Sequence, residues 1–175
     1  KAQIRLASID ISSEAVDKLK EKVKKSEATM MRAAKKLSTE RIKAAKKLGT
    51  TVTEEIQGLA MQKARFVVDI RVTAPGPFGI DAVEFQLAAN ALAQARPLAS
   101  SASGGELSRV MLALEVILAA GTTGTTLVFD EVDAGVGGRA AVEIGRRLAR
   151  LANDNQVIVV THLPQVAAYA DTHLH

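Results

Sequence analysis

The sequence contains no cysteine and no tryptophan. Without thiols no disulfide can staple a loop and no thiolate can hold a metal, a composition that fits a reducing cytoplasm. Aromatic residues are scarce. One Tyr and four Phe among 175 residues offer no platform on which the bases of a single strand could stack. No apolar run reaches the roughly 18 to 20 residues that a spanning helix requires, and Lys1 to Arg5 is not followed by the apolar core of a secretory signal. The expectation is therefore no membrane partner. The most consequential absence is a dipeptide: a phosphate-cradling G-x-x-x-x-G-K-S/T loop needs Lys directly after Gly, and none of the twelve glycines is followed by Lys.

What is present divides the chain in two by charge. Between Glu14 and Lys47 there are twelve Lys or Arg against five Asp or Glu, while the rest holds eleven against fourteen. The net +4 thus belongs to one segment. Such a segment is a solvated helix face or an electrostatic contact for nucleic acid, which requires cations facing phosphates but no base-reading groups. From Val16 the apolar residues Leu19, Val23, Met30, Ala33, Leu37 and Ala44 recur in steps of three and four, with Ser26 and Glu40 in weak positions of the seam. Ser12 and Ser13 offer N-cap oxygens, and Glu14 and Asp17 suit the positive end of the helix dipole. After Ala44 the seam slips to Ile42, Ala45, Val52, Ile56 and Leu59, as in a helix that leaves a coiled coil to join a globular head. A helix from Ser13 to Ala60 would span about 70 Å. Gly49 within it costs about 1 kcal/mol relative to Ala, which marks either a hinge or a neutral substitution. Residues 1–11 read as the stub of the partner strand, so 1–60 is a coiled-coil segment and 61–175 a separate lobe.

In that lobe the period changes. Phe66 to Val72 and Ala82 to Leu87 read as strands, with Ala74-Pro75-Gly76-Pro77-Phe78-Gly79 as a long hairpin loop. Beyond it, helix and strand alternate: a helix from about Gly105 to Ala119, a strand over 126–130, a helix from about Arg139 to Ala152, a strand over 156–161 and a short helix from Pro164 to Ala170. The strands are almost wholly apolar, which predicts an α/β fold around a mainly parallel, buried sheet.

Three stretches in this lobe carry chemistry. Ser103-Gly104-Gly105-Glu106 opens the amphipathic run Leu107, Val110, Met111, Leu114, Ile117 and Leu118. A helix N-terminus exposes unpaired N–H groups that suit an anion, and the two glycines would let a phosphate approach the backbone; the alternative is an ordinary Ser cap. Leu127-Val128-Phe129-Asp130-Glu131 puts two acids at the carboxyl end of a strand, where ligands of open α/β sheets bind. Asp130 there could orient Mg²⁺ through water and Glu131 could polarise an attacking water. His162 ends Val157-Ile158-Val159-Val160-Thr161 and could reach a γ-phosphate. His173 and His175 read as surface residues.

This ordered set resembles the head of the ABC-type ATPases. Ala102-Ser103-Gly104-Gly105-Glu106 looks like the signature motif, Leu127 to Glu131 like Walker B, Asp133-Ala134-Gly135-Val136 like the D-loop and His162 like the switch histidine. The longer strings from Ala102 to Arg109, Val128 to Gly138 and Val160 to Ala167 are similar to the RecN family of bacterial DNA repair ATPases, relatives of the SMC proteins. That resemblance implies the C-terminal lobe of a head, preceded by a β-hairpin and a long coiled-coil helix. It implies ATP and Mg²⁺, with Glu131 and His162 catalytic and Asp130 serving the metal. Ser103, Gly104, Gly105, Glu106 and Asp133 would contact nucleotide, the signature residues serving ATP held by the opposite head. The implied partners are the N-terminal lobe of the same protein, a second head joined through sandwiched ATP, and DNA at double-strand breaks in the nucleoid-bearing cytoplasm. Without a Walker A loop this chain alone is expected to be inactive. A second reading is a non-enzymatic basic coiled-coil module that binds DNA or a partner helix. A transporter ATPase domain is a third, but Glu106 and Val132 stand where transporters more usually carry Gln and Pro, and a transporter gives no reason for the long basic helix.

Overall fold

A computed structural model of the chain describes residues 13–118 and 123–174. The stub expected over residues 1–11, the cap oxygens expected from Ser12 and Ser13, and Ala119 and His175 lie outside what is described. The elements in chain order are α1 (Ser13–Gln57), β1 (Arg65–Gly76), β2 (Gly79–Ala88), β3 (Arg96–Pro97), α2 (Leu98–Ser101), α3 (Gly104–Leu118), β4 (Thr126–Phe129), α4 (Gly138–Ala152), β5 (Gln156–Val159) and α5 (Pro164–Ala167). The chain divides into two compact units, one of residues 1–42 with 71–82 and one of residues 43–70 with 83–175.

In the first unit the tip of the β1-β2 hairpin packs on α1. The strands run to Gly76 and restart at Gly79, so the loop is Pro77-Phe78 rather than the six residues expected from its Pro and Gly content. Asp81 explains the longer strands: its carboxylate accepts from Ser38 Oγ at 2.7 Å and from Arg41 Nη1 at 3.2 Å, while Arg41 also donates to Phe78 O at 2.7 Å. Gly79 has φ +103°, and a Cβ there would lie 3.3 Å from both Arg41 Nη1 and Leu37 Cδ2. The face of α1 covered in this way carries Ala34 and Ser38, one position on from the expected seam. The seam side chains Val16, Leu19, Val23, Met30 and Leu37 stay exposed, since a seam is buried only by a second helix.

The second unit holds the main core. Val52 and Ile56 from the end of α1, with Leu59 in the turn after it, pack with Phe66, with Val110, Leu112 and Ala113 of α3, and with Ile144 and Leu148 of α4. Thr53 joins α1 to the start of β1, donating to Gly49 O at 2.7 Å and accepting Phe66 N–H at 3.0 Å. The helix runs unbroken through Gly49, where an added Cβ would make only an ordinary 3.5 Å contact with Phe66 O, so neither a hinge nor a packing need is built there. Sheet order is β1-β2-β3, with β2 and β3 antiparallel, and β4 pairs with β5 in parallel. The β4-β5 sheet is covered on one face only. Leu127, Phe129, Val157 and Val159 face the core, whereas Val128, Ile158 and Val160 remain exposed, which differs from the fully buried sheet that their apolar character predicts. Sequence neighbours supply helices for one face, and among the described residues the other is open.

α4 meets the turn after α5 at Gly145, where a Cβ would fall on the Tyr169 ring, 2.8 Å from Cε2. Gly145→Val is therefore expected to lower unfolding free energy by roughly 1 to 2 kcal/mol through overpacking. Urea denaturation checks this, and an unchanged midpoint would show that Tyr169 swings away at no cost.

Candidate nucleotide site at the end of the parallel strands

Parallel pairing aligns Thr126 with Gln156 and Phe129 with Val159, and the ladder ends with Val160 N–H donating to Phe129 O at 3.0 Å. The two strand ends therefore emerge side by side, one leading into Asp130-Glu131 and the other into Thr161-His162. Val132 is fully buried and anchors the turn that follows β4. That turn is closed by Ala134 N–H to Glu131 O at 3.0 Å and Val136 N–H to Asp133 O at 3.1 Å.

α3 begins against the same turn. Ser103 Oγ accepts Glu106 N–H at 3.3 Å, and the Glu106 carboxylate takes Ser103 N–H at 2.9 Å, a reciprocal cap. Ser103 thus caps α3, as one of the two readings of its sequence has it. Ser108 Oγ donates to Asp130 O at 2.7 Å and Arg109 Nη1 donates to Ala134 O at 3.0 Å. Both clamp the post-strand turn to α3. Neither had been assigned a role from sequence, although they lie five and six residues after Ser103 within the matched string. Burial lowers the Arg109 pKa below its ordinary value, with Glu106 opposing the shift, and Arg109 Nε has no hydrogen-bond partner.

The glycines have physical causes of their own. A Cβ on Gly105 would lie 2.9 Å from Ala134 Cβ and 3.2 Å from Glu131 O, so this buried glycine is where the turn and α3 touch. A Cβ on Gly104 would collide with the Glu131 carboxylate. Glu131 has φ +56°, a left-handed backbone uncommon for a residue with a side chain. Its carboxylate lies over the first turn of α3 in its own chain.

Asp133 is turned inward. It is 2% exposed, accepts from Thr161 Oγ1, and lies 3.6 Å from His162 Nδ1. Asp133 was expected to touch nucleotide, but its carboxylate is occupied in joining the two strand ends. Thr161, which had no expected role, completes that link by accepting Leu163 N–H at 3.1 Å. His162 is largely exposed. Asp130 is exposed beside Glu131, and His173 is a surface residue as expected. Among the described residues no cluster of three or more His, Asp or Glu could hold a metal by itself. The donor set suits a hydrated Mg²⁺ that takes one carboxylate and draws its other oxygens from phosphate and water.

The chain is 52% identical to the DNA repair protein RecN of Mycobacterium leprae over 97% of its length, which is 32% of that protein. It is 53% identical to RecN of Streptomyces coelicolor over 81% of its length, 27% of that protein. The chain is RecN-like. It spans about a third of the length of the curated relatives it matches. RecN of Vibrio cholerae is 39% identical over 93% of the chain, so the likeness extends well beyond the actinobacterial sequences. No protein-family model matches. Among solved structures, the Smc head domain with an extended coiled coil from Pyrococcus furiosus, bound to the C-terminal domain of ScpA, superposes with a TM-score of 0.57 at 18% identity, covering 97% of this chain and 40% of that one. The Smc head with a coiled coil and joint from Pyrococcus yayanosii gives 0.54 at 17% identity, covering 90% and 30%. The RecN-like chain therefore has the fold of an SMC head segment with its helical arm.

Proposed function

We propose that the chain is the C-terminal lobe and returning coiled-coil helix of an SMC-like ATPase that acts in DNA double-strand break repair. The observation that carries this reading is the parallel β4-β5 register, which brings Asp130, Glu131 and His162 to one sheet end where a nucleotide would lie. The names of the relatives supply the process. ATP is the substrate, and Mg²⁺ when bound would neutralise its phosphate oxygens beside Asp130. Glu131 takes the proton of the attacking water. His162 donates to the γ-phosphate through Nε2 in its doubly protonated form, with Nδ1–H toward the buried Asp133 carboxylate; Asp133 and Thr161 position it. Glu131 must first turn away from Gly104, which frees the start of α3 to meet ATP on an opposing head through Ser103, Gly104, Gly105 and Glu106. ATP then joins two heads and hydrolysis releases them.

The exposed strip of Val128, Ile158 and Val160 is the surface on which the N-terminal lobe of the same protein, carrying the Walker A loop, would sit. DNA is the further partner, and the cytoplasmic nucleoid the place of action. Among the described residues no helix is long and apolar enough to cross a membrane.

A second reading, a non-enzymatic basic arm, is favoured by one observation. In the first half of α1 the pairs Lys18–Glu14, Lys20–Asp17 and Lys25–Glu21 engage three lysines, while Lys22 and Lys24 are exposed and form no ion pair among the described residues. Mixing the chain with a matching N-terminal lobe separates the two readings. Regained magnesium-dependent ATPase is the expected result; DNA binding without nucleotide dependence, and no ATPase, would establish the arm instead.

A further inference from the structure

Away from the strand ends, the second unit contains an open cavity of about 680 Å³, walled by the turn after α1 and the first turns of α3 and α4. Its charged residues are Lys63, Glu106, Arg109, Arg139 and Glu143. Both acids are already engaged. Glu106 closes the cap on Ser103, and Glu143 pairs with Arg146 at 3.0 Å and Arg147 at 2.8 Å. Lys63 and Arg139 are left over, and Arg109 faces Glu106 without a hydrogen bond to it. Lys63 and Arg139 are exposed and meet no hydrogen-bond or ion-pair partner among the described residues. Arg109 is only 7% exposed, donates one Nη to Ala134 O, and keeps a buried Nε–H with no acceptor.

A buried donor without an acceptor is costly, and a guanidinium more so than a neutral group. The first turn of α4 adds to the same sign of field, because its N-cap Gly137 offers no side-chain acceptor to the N–H groups there. The remaining wall is built largely from small side chains, which leaves room rather than filling it. A volume of this order is that of a small-molecule pocket, and suits a whole small anion better than the side of a duplex.

We propose that this cavity binds a small oxyanion ligand, phosphate- or carboxylate-bearing, with Arg109 deep in the site and Lys63 and Arg139 at its mouth. The site lies apart from the strand ends and shares only Glu106 with the start of α3 proposed to meet ATP; binding of an anion by its cations does not depend on the ATPase reading. Its ligand would reach α3 and the turn after β4 directly, since Arg109 holds Ala134 O and Glu106 caps Ser103.

The test uses the chain itself with pyrophosphate as probe, following arginine side-chain Nε–Hε resonances by NMR. The Arg109 resonance is expected to shift and saturate at millimolar concentration or below. Lys63→Gln combined with Arg139→Gln should weaken that binding at least about tenfold, because charge-assisted contacts are lost while the buried arginine stays. Both substitutions lie on the surface, so the melting midpoint should hold. Citrate in place of pyrophosphate distinguishes the source: preference for pyrophosphate assigns a phosphate-bearing ligand, and preference for citrate a carboxylate one. Absence of any Arg109 shift with either anion, or saturation unchanged in the double variant, would overturn the site.

Discussion

Replacing Glu131 by Gln, in the protein that joins this chain to its N-terminal lobe, is expected to cut ATP turnover at least about a hundredfold while ATP still binds. The amide keeps the shape of the carboxylate and loses its basicity, so attack by water stalls with nucleotide in place. ATP-joined dimers should then accumulate. Glu131 is well suited to such a test because its side chain is exposed and its left-handed backbone is demanded by the turn, not by the charge. Steady-state turnover at saturating ATP, with mass by light scattering, gives both readouts. A variant that hydrolyses at the parent rate would remove Glu131 as the base. The chain alone, having no Gly-Lys pair, should show no magnesium-dependent ATPase that this substitution abolishes.

The next largest effect is expected from Ser103→Asp, which should abolish ATP-driven dimerisation in a hydrolysis-deficient background while leaving the lobe folded. Asp is as good an N-cap as Ser, so the acceptor for the Glu106 N–H is kept; the change in stability should stay within about 1 kcal/mol even though Glu106 is pushed aside. What changes is the charge presented to a γ-phosphate. Dimers that still form with ATP would make Ser103 a helix cap and nothing more. Gly105→Asp is a poorer probe, because the contacts of its Cβ with Ala134 and Glu131 O would cost about 2 to 3 kcal/mol before any nucleotide is added. Ser103, whose side chain is a cap and not a packing contact, is therefore the decisive position.

Much of this protein was legible in order and period. The helix from Ser13 was expected to end at Ala60 and ends at Gln57; the helices expected from Gly105 and Arg139 start at Gly104 and Gly138. These elements are long and strongly periodic, and their ends carry local signals such as Ser103 with Glu106. The Pro77-Phe78 loop was misread as longer, because the Asp81 clamp that extends the strands lies some forty residues from Ser38 and Arg41 in sequence. The strand β3 and the turn of α2 were missed, being two and four residues long.

At the site, composition and spacing determined by themselves which residues carry chemistry: the Ser-Gly-Gly-Glu start of a helix, the acid pair after an apolar strand, the histidine after the next, and the missing Gly-Lys. These are local patterns of side-chain type, and local patterns survive without coordinates. Only the tertiary structure decided which groups face outward and which are spent on packing. It turned Asp133 inward to Thr161 and His162, used Gly105 as a contact with Ala134, laid Glu131 over Gly104, and left Arg109 buried with an unpaired Nε. Each of these depends on residues about 25 to 30 positions apart meeting across the β4 turn, a proximity that close packing sets and sequence spacing alone does not encode.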